Sequence, residues 1–177
     1  ILHKTKILKN EIEEEVLKFA RRGKRISVPA SSANLGPGFD VLGLALDLAN
    51  TCEFKLSDDK NEFENNINSN LIYKAYNYAF DFYGEEVLPV DFDLDTNIPL
   101  SRGLGSSASC IVMGIMAAFD VMKRDFDKKE ILKIATKMEG HPDNVAPAIF
   151  GNAVASILKD EQVYLEEFEI SNNFKFL

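Results

Sequence analysis

Hydrophobic and polar positions change their period several times along this chain, and each change predicts an element. Residues 10–22 set Ile12, Val16, Phe19 and Ala20 at helical spacing among charges, which predicts an amphipathic helix that Gly23 ends. Residues 24–29 alternate and begin a strand. Residues 41–56 are mostly apolar, then alternate through Glu53, Phe54, Lys55 and Leu56, as in a long strand or a strand pair. Residues 61–70 are polar and Asn-rich and read as a surface loop. Leu71, Ile72, Ala75, Tyr78, Ala79 and Phe82 keep one face apolar in a helix over 69–84, and its aromatics read as core. Asp91, Asp93 and Asp95 alternate within a predicted strand over 90–100, like a half-exposed antiparallel strand. The apolar run from Ala108 to Met122 predicts a helix over 105–123. Asp127 and Glu130 form a capping-box pattern for a helix reaching Met138. Strands follow over 153–158 and 162–170, with a turn at 159–161, and 173–177 looks like another.

Three stretches escape these periods. The central one, over 99–109, reads Pro-Leu-Ser-Arg-Gly-Leu-Gly-Ser-Ser-Ala-Ser and joins a strand to a helix. A helix amino end carries free N–H groups and the positive end of the dipole, so it attracts anions. Gly103 and Gly105 let the backbone approach such an anion closely. Ser106 and Ser107 add hydroxyls able to bond phosphate or ligate a hard cation. A polyphosphate cradle is the first reading. A plain helix cap is the second. The third is a dinucleotide loop, since Gly103-x-Gly105-x-x-Ala108 fits that loose fingerprint, although the preceding strand is not an apolar parallel one. A Walker A loop is excluded because its lysine is missing.

The other two stretches are also dense in polar groups. Residues 29–40, Pro-Ala-Ser-Ser-Ala-Asn-Leu-Gly-Pro-Gly-Phe-Asp, read as a tightly turned loop. There Asn34 and Asp40 are candidate ligand contacts, or else bond only the turn backbone. Residues 139–148 pack Glu139, His141, Asp143 and Asn144 around a glycine and a proline. One histidine with hard oxygen donors suits Mg²⁺ better than Zn²⁺. His141 is either a general base or a hydrogen-bonding substrate contact. Capping accounts for Asp143 or Asn144, but not for all four residues. Asn70 either caps its helix or touches a base.

The 177 residues are 46% hydrophobic, enough for one domain with a real core. A net charge of −8 argues against nucleic acid as a main partner. Cys52 and Cys110 have no metal-type spacing and read as buried thiols, which fits a reducing cytoplasm. No run is long and uninterrupted enough to span a bilayer, so no membrane partner is expected. The chain starts at Ile1 and stops inside strand-like sequence, so a piece cut at both ends is expected.

Taken together, the motifs at 29–40, 99–108 and 139–147 resemble homoserine kinase, a branch of the GHMP small-molecule kinase superfamily. The resemblance runs from about Lys24 onward. It implies an α+β fold, the ribosomal protein S5 domain 2-like amino-terminal domain, with a mixed sheet packed by helices. That domain would occupy 24–177, incomplete at its carboxyl end, with 1–23 a helical extension or linker. The implied reaction is ATP-dependent phosphorylation of the side-chain hydroxyl of L-homoserine, giving O-phospho-L-homoserine for threonine synthesis. Pro99, Leu100, Ser101, Arg102, Gly103, Leu104, Gly105, Ser106, Ser107, Ala108 and Ser109 would wrap the ATP phosphates, and Asn70 would lie near the adenine. Ser107 and Glu139 would hold Mg²⁺, and with Asn144 make up the catalytic set. Asn34, Asp40, His141, Asp143 and Asn144 would line the homoserine pocket. Related branches such as mevalonate kinase are thought to use an aspartate where this chain has Asn144, so no dedicated carboxylate base is implied. The family's second half is absent, so the 177-residue piece alone is expected to show little or no kinase activity. A homodimer is an open assembly state. Outside this resemblance stand another small-alcohol kinase and a non-catalytic nucleotide-binding module.

Overall fold

The computed structural model describes residues 24–170; the helix predicted over 10–22 and the strand predicted over 173–177 lie outside the described residues. The domain is built on a long hairpin of β1 (Lys24–Leu35) and β2 (Gly38–Leu56). With 19 residues, β2 is long enough to take two partners on its far edge. Its residues 51–56 pair with β3 (Val90–Asp95), and its residues 42–44 pair with β4 (Ala153–Lys159). Strand β5 (Gln162–Phe168) pairs with β4 and completes the five-stranded sheet. Every pairing is antiparallel, so among the described residues the expected mixed sheet is an antiparallel one. Alternation does what it predicts. Ile26, Val28, Cys52 and Phe54 are buried, while Arg25, Ser27, Glu53 and Lys55 are exposed.

The helices are α1 (Lys60–Ser69), α2 (Leu71–Tyr83), α3 (Ser106–Val121), α4 (Lys128–Glu139) and α5 (Val145–Phe150). Helix α3 is buried nearly all round, from Ser106 to Val121, as its apolar run predicts. Each large side chain it buries stabilises the fold by about 1.5–3 kcal/mol. Gly114 lets α2 press onto it: a Cβ there would lie 2.3 Å from the Ile72 carbonyl oxygen.

Three further sequence expectations change. Residues 60–69 form a helix, not a loop. Asp59 caps it by accepting from the Glu62 N–H at 3.0 Å, and Phe63 packs against the rings of Tyr73 and Tyr76. Asn61, Asn65 and Asn68 lie on its exposed face, and Asn66 is half-buried. Residues 29–40 are strand almost throughout, turning only at Gly36 and Pro37. The β1–β2 register shifts between Pro29 and Ala30, where Pro29 opposes Ala49 but Ala30 opposes Leu46. Proline has no N–H to give the ladder, so a bulge falls there. Finally, β3 stops at Asp95 because the N–H groups of Asn97 and Ile98 turn to the Asn50 side chain instead.

Candidate active site

The glycine-rich loop lies between β3 and α3. Gly105 is the α3 N-cap in the left-handed region, at φ +65°, and no side chain caps the helix. The first helical bond runs from Ser109 N–H to Gly105 carbonyl at 2.9 Å. The amides of Ser106, Ser107 and Ala108 therefore form an uncapped, electropositive helix start. The loop is seated on β1. Ser31 N–H donates to the Leu104 carbonyl at 3.1 Å, and a Cβ on Gly105 would lie 2.1 Å from Ser31 Oγ. A Cβ on Gly103, at φ +68°, would meet nothing within 4 Å and so would enter open space. Ser101 also sits at positive φ, +58°.

The segment after α4 faces this loop. Glu139 is the last residue of α4, and Gly140 ends the helix at φ +96°. Ser107 Oγ donates to Glu139 Oε2 at 3.4 Å, so two hard oxygens 32 positions apart meet at the helix start. His141 Nδ1 bonds the carboxylate of Asp143, which is 1% exposed. That bond orients the ring and leaves Nε2 on the more exposed side chain for a ligand. Asp143 therefore acts on His141 instead of facing the solvent itself. Its carbonyl rests on β2, where a Cβ on Gly43 would lie 2.0 Å from it. Asn144 heads α5 without a capping side-chain bond; its Oδ1 instead accepts from Ser31 Oγ at 3.1 Å. Its amide donors remain for a ligand.

The remaining candidates divide. Asn34 and Asp40 come together at the hairpin tip, both at positive φ, with Asp40 N–H donating to Asn34 Oδ1 at 2.9 Å. The Asn34 oxygen thus holds the turn, while the Asp40 side chain is exposed. Asn70 is a cap: its Oδ1 accepts from Ile72 N–H at 3.2 Å, and among the described residues it shares no hydrogen bond with the glycine-rich loop. Leu100 and Arg102 are exposed on the loop. Two site residues were missed by sequence reasoning. Ser31 and Asn50 are both fully buried and both bond the loop's surroundings. Asn50 had one signal, an amide in a mostly apolar strand.

A cation fits this donor set in one way. Among the described residues no three His, Cys, Asp or Glu side chains cluster as a metal cage. Ser107 and Glu139 offer two hard oxygens, the sparse protein ligation that Mg²⁺ accepts when phosphate oxygens and water supply the rest.

Residues 70–152 match the family model described as GHMP kinases N terminal domain. Over these residues the chain is similar to the GHMP kinase N-terminal domain. The match begins at the cap of α2 and covers the glycine-rich loop, α3, α4 and the His141–Asn144 turn. A homoserine kinase of Clostridium beijerinckii is 41% identical over 158 residues, covering 86% of this chain and 53% of that protein. A structure from Listeria monocytogenes assigned to homoserine kinase superposes with a TM-score of 0.70 at 36% identity, covering 82% of this chain and 53% of the other. The mevalonate kinase of Methanococcus jannaschii superposes with a TM-score of 0.63 at 18% identity, covering 84% of this chain and 56% of its own, and shares the fold. The chain spans about half the length of the curated relatives it matches. No described helix is long and apolar enough to cross a membrane.

Proposed function

We propose that this GHMP kinase domain belongs to an enzyme that transfers the γ-phosphoryl group of ATP to the side-chain hydroxyl of L-homoserine. The observation that carries the reading is the uncapped start of α3 beside the Ser107–Glu139 oxygen pair, with Asn144 tied to the same loop through Ser31. The likeness to homoserine kinases in sequence supports homoserine as the acceptor.

In this reading the amides of Ser106, Ser107 and Ala108 bond the ATP phosphates, and the α3 dipole offsets their charge. Ser107 Oγ and Glu139 hold Mg²⁺, which when bound neutralises phosphate charge. His141, fixed by Asp143, and the amide of Asn144 hold the acceptor, with Asp40 meeting its amino group. Asn34 holds the hairpin tip that carries Asp40. Asn70 shapes the entry to α2 near the adenine. An amide at 144 cannot take the hydroxyl proton, so that proton leaves to the transferred phosphate or to water. Catalysis is positioning and charge neutralisation. The product, O-phospho-L-homoserine, would feed threonine synthesis in the cytoplasm.

The test is coupled ADP release by the full-length protein with MgATP, with and without L-homoserine, and with mevalonate as a control. Release that depends on homoserine and is absent with mevalonate supports the proposal. A folded protein that binds MgATP but releases no ADP with homoserine overturns it.

A further inference from the structure

We propose that Asn50 is a positioning residue that holds the two ends of the glycine-rich loop in the geometry that binds nucleotide. This rests on reading that loop as the ATP phosphate site. Asn50 lies on β2, is 0% exposed, and spends its amide on the loop's ends. Its Oδ1 accepts from the N–H of Asn97 and of Ile98, both at 2.9 Å, where the chain enters the loop. Its Nδ2 donates to Ser109 Oγ at 2.9 Å, where the chain leaves it. Ser109 Oγ donates onward to the Ser106 carbonyl, also at 2.9 Å, inside the first turn of α3.

An amide buried this deeply in an apolar sheet is costly unless bonded, and sheet packing alone would be served as well by an apolar side chain. The three bonds do not reinforce β2. They fix where 97–98 stand relative to 106–109, which sets the span that residues 99–105 must cover. That segment holds three positive-φ residues, Ser101, Gly103 and Gly105, so its shape is sensitive to where its ends are pinned. The amides that would meet phosphate belong to the turn that Ser109 closes.

The test is steady-state kinetics and equilibrium MgATP binding on the full-length protein. Asn50→Asp keeps the shape and the acceptor, loses the donor to Ser109 and sets a carboxylate beneath the loop. Ser109→Ala breaks the exit arm, together with its onward bond to the Ser106 carbonyl, and leaves the entry arm intact. Val28→Ala, a core change opposite Asn50 in the β1–β2 register, is the stability control. Asn50→Asp and Ser109→Ala should each raise the KM and Kd for MgATP by about tenfold, the equivalent of one hydrogen bond. The KM for the acceptor should stay within about twofold. Val28→Ala should lower the melting temperature and leave both KM values alone. If Asn50→Asp does not fold, Ser109→Ala decides. Unchanged MgATP affinity in the folded variants overturns this inference alone. Failure of the unmodified protein to bind MgATP overturns the nucleotide reading and this inference with it.

Discussion

Ser31 Oγ donates to Asn144 Oδ1 at 3.1 Å, across 113 positions of sequence. The same serine holds the Leu104 carbonyl through its N–H. One buried residue on β1 thus joins the loop proposed for phosphates, through its backbone, to the turn proposed for the acceptor, through its side chain. Ser31→Ala leaves the Asn144 oxygen without that partner in a largely buried place. The expected cost is about 1–3 kcal/mol of stability. The amide of Asn144 is also freed to rotate, so the KM for homoserine should rise more than the KM for MgATP. A thermal melt and the two KM values check this; a rise in the MgATP KM as large as that for homoserine, or larger, would refute a role of the hydroxyl specific to Asn144.

Gly103 and Gly105 have nearly the same φ but different surroundings. Alanine at 103 pays mainly for its left-handed backbone, about 1 kcal/mol, because its Cβ enters open space. Alanine at 105 adds a collision with Ser31 Oγ, and behind it Ser31 backbone atoms at 2.9 and 3.1 Å. Gly105→Ala should therefore lose several kcal/mol or fail to fold, while Gly103→Ala stays folded. Urea unfolding of the two variants decides it, and equal midpoints would refute the seating of the loop on β1.

What the sequence made legible follows from where each signal lives. The α3 run, the α2 stripe and the β1–β2 alternation are local periodicities, and they place the core within a few residues. Helix α1 was hidden by its asparagines, although Asp59 three positions before Glu62 is a cap signature and Phe63 with Ile67 makes an i, i+4 pair. Glycine and serine in 29–40 suggested a loop because the composition of a bulged hairpin and of a loop is the same. At the site, the meeting of Ser107 with Glu139 followed from the family resemblance. Ser31 was not visible and Asn50 only as an amide in a mostly apolar strand, since a buried serine and a buried asparagine acquire their roles from partners 113 and 59 positions away. Asn34 and Asn70, chosen as ligand contacts, spend their oxygens on backbone.

Glu139→Gln separates cation binding from folding. Glu139 is half-buried at the end of α4, and its carboxylate contacts the Ser107 hydroxyl. The amide keeps the shape and the hydrogen bond but loses the charge. The melting temperature should move little, while the Mg²⁺ concentration for half-maximal activity should rise by about tenfold or more, as expected when a charged ligand is lost. A magnesium titration at saturating ATP reads this directly. An unchanged Mg²⁺ requirement would remove Glu139 from the cation site.

Stability should fall on the alkaline side in two separable steps. Burial pushes the Cys52 thiol from 9.0 up to about 12, and it raises Cys110 as well. Both thiols hold their protons more tightly folded than unfolded. Their contribution is fully present below the unfolded value near pH 9 and is lost as pH rises toward the folded one. Tyr73, Tyr76 and Tyr83 are raised from 10.0, chiefly by burial, so their loss begins about one pH unit later. Between pH 9 and 10 the decline therefore belongs mostly to the cysteines, at a slope approaching about 1.4 kcal/mol per pH unit for a fully shifted group. Cys52→Val keeps the bulk in the core and removes that group. Urea midpoints at pH 8, 9 and 10 should show a shallower decline for Cys52→Val than for the unmodified protein. Parallel lines would mean that the Cys52 thiol ionises as easily in the folded chain as in the unfolded one.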